Sequence, residues 1–200
     1  MIKTLFTDVG GVLLTNGWDS AGRKGAAAKF GLDLKEMDAR HHLTFDTYEV
    51  GKITLDEYLQ RTVFYQPRAF TLADFREFMY ALSQPYPEML DLVRRVKASG
   101  RNVVVVSNEG RELTEYRIKT FRMAEFADFF VSSCFVHFRK PDRDIFQMAI
   151  DLSQANPAES AYLDDRPMFV EVAASLGLTA IRHTDYQSTR AALAALGVNV

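Results

Sequence analysis

Short apolar runs that favour β-strands alternate with helical patterns through most of the chain, and this alternation constrains the fold more than any other feature of the sequence. The run Asn102–Ser107 contains four consecutive valines, so it lacks the alternation of a strand with one face in water. Strands that helices cover on both faces have this pattern. The strands predicted in this way are Ile2–Thr7, Asn102–Ser107, Phe129–Ser132, Ser160–Leu163 and Thr179–Arg182. The sequence therefore predicts an α/β fold with a parallel sheet.

The segments between the predicted strands have the spacing of amphipathic helices. Apolar residues recur every three or four positions after Pro87, after Lys140 and again from Val170 to Leu176. A proline in the first turn and a glycine just past the last turn, as at Pro87 and Gly100, are typical helix boundaries. The residues expected to form the apolar faces of the first two helices are Tyr86, Met89, Leu90, Val93, Val96, Ile145, Met148, Ala149 and Leu152.

The alternation stops at 16–83, where only helical patterns are found. Asp33, Thr54 and Thr71 are each followed three residues later by an acidic residue, which is the spacing of a helix capping box or of a weaker relative of it. Such an insert lies above the carboxyl end of the first strand, where open α/β sheets bind their ligands. The predicted domains are an α/β core at 1–15 and 84–200 and a small all-helical cap at 16–83.

Composition and charge exclude several classes of partner. The chain has 24 basic and 26 acidic residues and a formal net charge of -2, so we expect no surface for nucleic acid or for an anionic membrane. No apolar run approaches the roughly 20 residues of a membrane-spanning helix. A small molecule is therefore the favoured partner.

Length and cysteine content indicate where and how the chain folds. Two hundred residues with 48% hydrophobic content can form a sizeable core, so we expect the chain to fold by itself, as a monomer or a homodimer. The single Cys134 cannot form an internal disulfide, and the residues before the first strand lead us to expect no secretory signal. These features favour a reducing, cytoplasmic location.

Polar residues follow the first two long strands. Asp8 ends the first strand and is followed by Gly10 and Gly11, which allow backbone N–H groups to approach an anion. Ser107 and Asn108 end the valine-rich strand, where a hydroxyl and the N–H groups of a helix start can hold phosphate oxygens. Taken alone, a turn explains the first segment and a helix cap explains the second equally well.

Two further segments carry charge after later strands. Lys140 precedes Pro141, and a cation at a strand end can neutralise a phosphate or a carboxylate, although most surface lysines are solvated. Asp164 and Asp165 are adjacent after an apolar strand, where two carboxylates resist burial unless a cation compensates them. Carboxylate oxygens are the ligands that Mg²⁺ prefers. An exposed acidic turn is the alternative explanation of this pair.

In this order the four segments resemble the motifs of the haloacid dehalogenase superfamily. Asp8 matches the first motif, Ser107 the second, Lys140 the third, and Asp164 with Asp165 the fourth. The residues of these motifs are particularly similar to those of small cytoplasmic phosphatases with compact helical caps, among them sugar-phosphate phosphatases. The resemblance implies a Rossmann-like parallel sheet core with the cap inserted after the first strand.

The resemblance also implies a mechanism and a magnesium site. By analogy with the family, Asp8 is the nucleophile that attacks phosphorus, and water then hydrolyses the aspartyl-phosphate. Mg²⁺ would be held by the Asp8 carboxylate, the Gly10 carbonyl and Asp165, with Asp164 close by. The activity expected is hydrolysis of a small phosphorylated metabolite.

The remaining motif residues would hold the phosphate. Ser107, Lys140 and the backbone N–H groups of Asn108 and Val9 would bind the oxygens of the transferred group. Ser107 and Lys140 would thereby share the catalytic role with Asp8.

Three residues depart from the common pattern of the superfamily. Gly10 stands where many relatives have a second Asp that serves as general acid and base, a function that typically contributes 10²–10⁴-fold. Phe169, four residues after Asp165, stands where relatives often have Asp or Asn, so metal affinity is expected to be reduced. Glu109 follows Asn108 directly and is either a first-turn helix residue or a substitute proton donor.

The histidines and aromatic residues of the insert indicate less about function than the four motifs do. His41 and His42 have no cysteine or third histidine at ligand spacing, so packing is favoured over zinc binding. Aromatic residues on small helices are mostly core residues, although a few could line a substrate pocket. The residues concerned are Trp18, Phe45, Tyr48 and Tyr65.

Two alternatives to phosphate hydrolysis stay open. A metal-independent 2-haloacid dehalogenase would use the Asp8 nucleophile on carbon, but enzymes of that branch lack the paired acids of the fourth motif. A weakly active or non-catalytic protein that binds a phosphorylated ligand would be explained by Gly10 and Phe169. The nucleophile, the lysine and both acids are present, which favours the phosphatase.

Overall fold

The fold of this chain is a five-stranded, all-parallel sheet between helices. The structure is a computed structural model and describes residues 1–198. The strand order is β3-β2-β1-β4-β5. The strands are β1 (Thr4–Thr7), β2 (Asn102–Ser107), β3 (Phe129–Ser132), β4 (Ser160–Asp164) and β5 (Thr179–Arg182). The predicted α/β, Rossmann-like sheet is confirmed, with β1 starting two residues later and β4 ending one residue later than expected.

The helices follow the strands in the alternation that the sequence indicates. The described residues form α1 (Ser20–Phe30), α2 (Leu34–Glu49), α3 (Leu55–Thr62), α4 (Leu72–Ala81), α5 (Pro87–Ala98), α6 (Arg111–Thr120), α7 (Ser133–Val136), α8 (Arg143–Ser153), α9 (Pro167–Ser175) and α10 (Tyr186–Ala195). Short 3₁₀ turns at Met123–Glu125 and Pro157–Glu159 precede β3 and β4. None of these helices is long and apolar enough to cross a membrane.

Both faces of the sheet are buried because successive strand residues point to opposite sides. Leu5 and Val105 pack with α5 and α10 on one face. Phe6 and Val104 pack with α8 and α9 on the other face. The all-valine centre of β2 is therefore explained by burial on both sides.

Two of the predicted apolar faces need correction. Leu152 in α8 is 61% exposed, and Phe146 and Ile150 are buried in its place. Ile145 and Ala149 are buried as predicted, so the buried face of α8 is rotated only in part, because three- and four-residue spacings overlap over a short helix. Tyr86 is also largely outside the core, since it precedes α5 as the residue before its first turn.

The four helices α1–α4 lie between β1 and α5 and bury a separate apolar cluster that includes Trp18, Tyr58 and Phe75. The predicted N-caps are present: Thr54 and Thr71 form complete capping boxes, and the Asp33 side chain accepts from the N–H of Glu36. The all-helical insert after the first strand is thus found. Its division from the core as separate domains at 16–83 and at 1–15 with 84–200 stays a prediction, and positions 199–200 lie outside the described residues.

Candidate active site

A buried lysine joins two carboxylates where β1 and β4 end. The parallel register pairs Thr7 with Leu163, so Asp8 and Asp164 follow side by side at the carboxyl edge. The Lys140 Nζ lies 3.0 Å from Asp8 Oδ2 and 2.7 Å from Asp164 Oδ2. Lys140 is fully buried, and a buried ammonium is tolerated only when negative groups compensate its charge. The structure therefore brings the first, third and fourth motifs together.

Asn108 fixes the backbone that carries Lys140. The Asn108 Nδ2 donates to the Lys140 carbonyl, and the Lys140 N–H donates to Asn108 Oδ1, both at 2.8 Å. The rings of Phe169 and Tyr162 lie 5.0 and 5.9 Å from the Lys140 Nζ, within the range of a cation–π contact. Phe169, a departure from the common pattern, thus packs on the lysine.

The two acids of the fourth motif have different environments. Asp164 Oδ2 accepts from Lys140 Nζ and from the Tyr162 hydroxyl, and Asp164 Oδ1 accepts from the N–H of Arg166 at 2.9 Å. The Oδ1 of Asp165, by contrast, is buried without a hydrogen-bond partner among residues 1–198. A buried, unpaired carboxylate oxygen is costly unless a cation or water binds it. Asp165 is therefore the acid available to a ligand, and Asp164 holds the lysine.

Asp8, Asp164 and Asp165 form a group that could hold a metal ion. One carboxylate oxygen from each lies within 4.8 Å of the others. Three carboxylates around one lysine leave excess negative charge, and oxygen ligands of this kind suit a hard divalent cation. Gly10, the other predicted ligand, lines the adjoining cleft. The donor set thus fits a metal site of the kind that the sequence predicts.

Burial and charge change the acidity of the central pair. Burial raises the pKa of Asp8 to about 7, and Asp164 adds to this, although the Lys140 ammonium lowers it. Burial alone would lower the pKa of Lys140, but Asp8 and Asp164 offset it and leave the pKa above its usual value. A cation bound beside Asp8 would favour its charged form.

A cleft of about 460 Å³ opens between this group and the helical insert. Its lining residues are Asp8, Gly10, Asn16, Trp18, Asp19, Ser20, Arg23, His41, Phe45, Glu49, Asn108, Glu109, Arg117, Arg139, Arg166 and Phe169. Residues of both the sheet edge and the insert contribute. The volume is suited to a small molecule.

Ser107 and Val9 lie beside this cleft and do not line it. Both border a second cavity, of about 10 Å³, on the side of α6. The Val9 N–H, predicted to bind phosphate, donates to Asp8 Oδ1 at 2.7 Å. These two residues are close to the nucleophile, but the structure does not direct them at the main cleft.

Several charged residues of the cleft were not predicted from the sequence. Arg117 is buried and ties both ends of the insert to the core: its guanidinium donates to Ser83 Oγ at 3.0 Å and to the carbonyls of Thr15 and Asn16 at 3.3 and 3.2 Å. Its Nη1 also lies 3.0 Å from Glu109 Oε2. Glu109 is therefore a buried partner of an arginine, just before α6, and not a first-turn helix residue.

Glu49 and Arg139 form a second pair across the cleft. Arg139, next to Lys140, contacts Glu49 Oε2 at 2.8 Å and also pairs with Asp46. Both acids are on α2, so this pair joins the insert to the third motif. In the sequence, only its position next to Lys140 indicated that Arg139 lies near the site. Nothing in the sequence relates Arg139 to Glu49.

The aromatic and histidine residues of the insert are divided between core and cleft. Tyr48 is buried, and Tyr65 lies under the Arg40 guanidinium at 3.6 Å. Trp18 and Phe45 pack in the insert and also line the cleft. His41 lines the cleft and is bonded through Nδ1 to the Tyr58 hydroxyl at 2.8 Å.

Sequence comparisons relate the chain to known hydrolases. A family model described as haloacid dehalogenase-like hydrolase matches residues 2–177. Flavin mononucleotide hydrolase 1 of Arabidopsis thaliana is 24% identical over 176 residues, which are 86% of this chain and 70% of that protein. Pyrophosphatase PpaX of Bacillus cereus is 28% identical over 98 residues, 47% of this chain and 45% of that protein.

Solved structures have the same architecture. A haloacid dehalogenase family enzyme from Bacteroides thetaiotaomicron, in complex with magnesium and inorganic phosphate, matches with a TM-score of 0.76 at 20% identity, over 92% of this chain and 95% of that one. The L-2-haloacid dehalogenase of Xanthobacter autotrophicus matches with a TM-score of 0.64 at 14% identity, over 98% and 83% of the two chains. At such identities the likeness establishes the fold alone.

Proposed function

This chain belongs to the haloacid dehalogenase-like hydrolases, and from that premise we propose that it is a magnesium-dependent phosphatase acting through an aspartyl-phosphate on Asp8. The substrate proposed is a phosphate monoester of a small molecule, such as a sugar phosphate. The observation that carries the proposal is the buried group at the sheet edge, where Lys140 joins Asp8 to Asp164 and Asp165 keeps an unpaired oxygen.

The proposed reaction uses the residues in two steps. A carboxylate oxygen of Asp8 bonds to phosphorus while the bond from phosphorus to the leaving oxygen breaks, and water then displaces Asp8 from phosphorus. Lys140 restrains Asp8 and neutralises charge, and Asn108 holds Lys140 in place. Asn108 lines the cleft, and its N–H would bind a phosphate oxygen. The Ser107 hydroxyl and the Val9 N–H border the neighbouring cavity and would complete the proposed phosphate site only by turning toward the cleft.

Magnesium is the cation that this donor set favours. It would be held by Asp8, the Gly10 carbonyl and Asp165, with Asp164 in support, and would supply charge neutralisation and orientation of the phosphate. The unpaired Asp165 oxygen supports a cation at this place. Paired acids here also favour phosphate chemistry over dehalogenation, because a metal-independent reaction has no need of them.

The relatives support a small phosphorylated substrate. Flavin mononucleotide hydrolase and pyrophosphatase are named for small phosphate compounds. The cleft volume agrees with a substrate of that size. The cytoplasmic location and the monomeric or homodimeric state remain predictions. The absence of a nucleic-acid or membrane partner is a prediction as well.

The proposed function is tested by phosphate release from p-nitrophenyl phosphate and from a panel of sugar and nucleoside monophosphates, with Mg²⁺ or with EDTA. We expect phosphate release that depends on Mg²⁺, and the rates with different esters will rank the substrates. Halide release from 2-chloropropionate is measured in parallel. Halide release by folded protein without phosphate release from any ester would overturn the proposal in favour of a dehalogenase.

Replacing Gly11 by alanine is expected to weaken magnesium binding. A Cβ at Gly11 would lie 2.4 Å from Asp165 Oδ2, so the carboxylate must move. Mutating a neighbour that positions a metal ligand typically costs about 10- to 100-fold in metal affinity. Titration calorimetry with Mg²⁺ measures this loss.

The control is Gly31→Ala. Gly31 has a similar positive φ of 63°, and nothing lies within 4 Å of a Cβ placed there. This variant should share the backbone strain, about 1 kcal/mol, and keep the wild-type affinity. Equal affinities in the two variants would mean that Asp165 does not bind the metal.

A further inference from the structure

Hydrolysis of an alkyl phosphate needs a proton for the leaving oxygen, and the residue that supplies it is not evident from the sequence motifs. Gly10, two residues after Asp8, has no side chain to donate one. The donor must be a titratable group of the cleft that can be protonated near neutral pH and is free to reach the substrate. Besides the nucleophile, four carboxyl or imidazole side chains line the cleft, namely Asp19, His41, Glu49 and Glu109.

Three of these groups are excluded by their contacts. Asp19 caps α1 by accepting from the N–H of Gly22 at 2.8 Å. His41 is bonded to a buried tyrosine hydroxyl, and burial lowers its pKa to about 4, so it carries no spare proton near neutral pH. Glu109 uses both oxygens, with Oε1 accepting from the Gly110 N–H at 3.0 Å and Oε2 on the Arg117 guanidinium.

Glu49 differs because its carboxyl is buried and paired in charge with Arg139, but its Oε2 accepts no hydrogen bond within the described residues. The residue is 6% exposed and lines the same cleft as Asp8. Its Oε2 has no hydrogen-bond partner within the described residues, since Arg139 Nη2, 2.8 Å away, is not in line for one. A buried polar atom without a hydrogen bond, in a cleft, indicates a group that a ligand satisfies.

The backbone holds Glu49 firmly over the core. The Ser133 hydroxyl donates to the Glu49 carbonyl at 2.7 Å, and His137 Nδ1 lies 2.8 Å from the Val50 carbonyl. Gly51 packs so closely that a Cβ there would be 2.3 Å from the Cys134 carbonyl oxygen. The end of α2 is therefore fixed to α7, and the backbone of Glu49 has a defined position relative to the site.

We propose that Glu49 donates the proton to the leaving oxygen of the substrate, an inference that rests on the proposed function and deepens it. As Asp8 bonds to phosphorus and the bond from phosphorus to the leaving oxygen breaks, the Glu49 O–H bond breaks and its proton goes to that oxygen. In the second step the Glu49 carboxylate takes a proton from the water that bonds to phosphorus and displaces Asp8. The enzyme thus returns to its starting state.

The surroundings of Glu49 support a proton donor. Burial is the largest effect and raises the pKa of Glu49 to about 7. The positive charges of Arg139 and Lys140 lower this pKa, and the negative charges of Glu109 and Asp46 raise it. These are the charged groups that face it from α2, from the loop after β2 and from the third motif. An acid with a pKa near the working pH is the efficient kind of donor.

The test compares leaving groups in wild type and Glu49→Gln. Glycerol 1-phosphate has an alkoxide leaving group that needs a proton, whereas p-nitrophenolate leaves without one. We expect kcat/KM for glycerol 1-phosphate to fall by about 10²-fold or more, and kcat/KM for p-nitrophenyl phosphate to change by less than about fivefold. The second step does not enter kcat/KM once the ester bond has broken irreversibly. The alkaline fall of kcat/KM for the alkyl ester should also disappear in Glu49→Gln.

Asp46→Asn is the matched control. Asp46 shares the Arg139 guanidinium with Glu49 but has a 78% exposed side chain, so its replacement should leave the ratio between the two substrates unchanged. If Glu49→Gln does not fold, Glu49→Asp is compared in its place. Its shorter side chain moves the acid away from the leaving oxygen, so glycerol 1-phosphate should again lose more kcat/KM than p-nitrophenyl phosphate. An equal loss on both substrates would overturn the proposal. Wild-type protein inactive on both would instead overturn the proposed function.

Discussion

Replacing Asp8 by asparagine is expected to lower phosphate release by at least about 10³-fold, because an amide oxygen cannot form the aspartyl-phosphate. The change is nearly isosteric, and Lys140 keeps its contact with Asp164 at 2.7 Å. Since burial already disfavours the Asp8 charge, we expect the free energy of unfolding to change by no more than about 2 kcal/mol. Initial rates with the preferred ester, together with urea unfolding curves, measure both quantities.

The control for Asp8→Asn is Asp33→Asn. Asp33 caps α2 and does not line the cleft, and asparagine is an equally good cap residue. This variant should keep the wild-type rate. If Asp8→Asn kept more than a tenth of the wild-type activity, Asp8 would not be the nucleophile.

Replacing Lys140 by methionine is expected to produce the largest loss of stability, about 3 to 5 kcal/mol. The side chain is fully buried and contacts two carboxylates, so its removal leaves both without a compensating charge. Urea unfolding near pH 7 measures the free energy of unfolding. A loss below about 1 kcal/mol would mean that the carboxylates do not depend on the lysine for their burial.

The loss in Lys140→Met should depend on pH in a defined direction. The folded pKa of Asp8 is already above its ordinary value of 3.8, and without the lysine it rises further. An acid whose pKa is raised by folding binds more protons in the folded state, so stability falls as the pH rises through that range. The difference from wild type should therefore narrow when the pH is lowered from about 8 to about 5.

A second substitution separates charge from packing in this variant. Asp164→Asn added to Lys140→Met removes one of the two uncompensated carboxylates. The double variant should recover part of the lost stability, because neighbouring charges couple strongly. No recovery would mean that the cavity left by the lysine side chain, and not the charge, causes the loss.

The sequence predicts the sheet, and the motif residues at its carboxyl edge, because both depend on local patterns. Four valines in β2 indicate burial on both faces, and parallel strands bring their carboxyl ends to one edge. Asp8, Lys140 and the two acids could therefore be expected to meet. The shifted apolar face of α8 could not, because Leu152 and Ile150 fit a helical stripe equally well until the neighbouring helix is known.

The residues of the cleft wall could not be predicted because their partners are remote in sequence. Arg117 contacts Ser83 and the carbonyls of Thr15 and Asn16, which are 34, 102 and 101 residues away. The different environments of Asp164 and Asp165 likewise arise from tertiary hydrogen bonds, which identical side chains in adjacent positions do not reveal.

The central claim is that Asp8 carries the phosphoryl group during hydrolysis, and acid quenching tests it most directly. Wild-type enzyme turning over a ³²P-labelled ester with Mg²⁺ is quenched in acid, digested and mapped by mass spectrometry. The account predicts a phosphoryl group on the peptide that contains Asp8 and none in Asp8→Asn. Rapid turnover with the label on another residue, or undiminished phosphate release by Asp8→Asn, would contradict it.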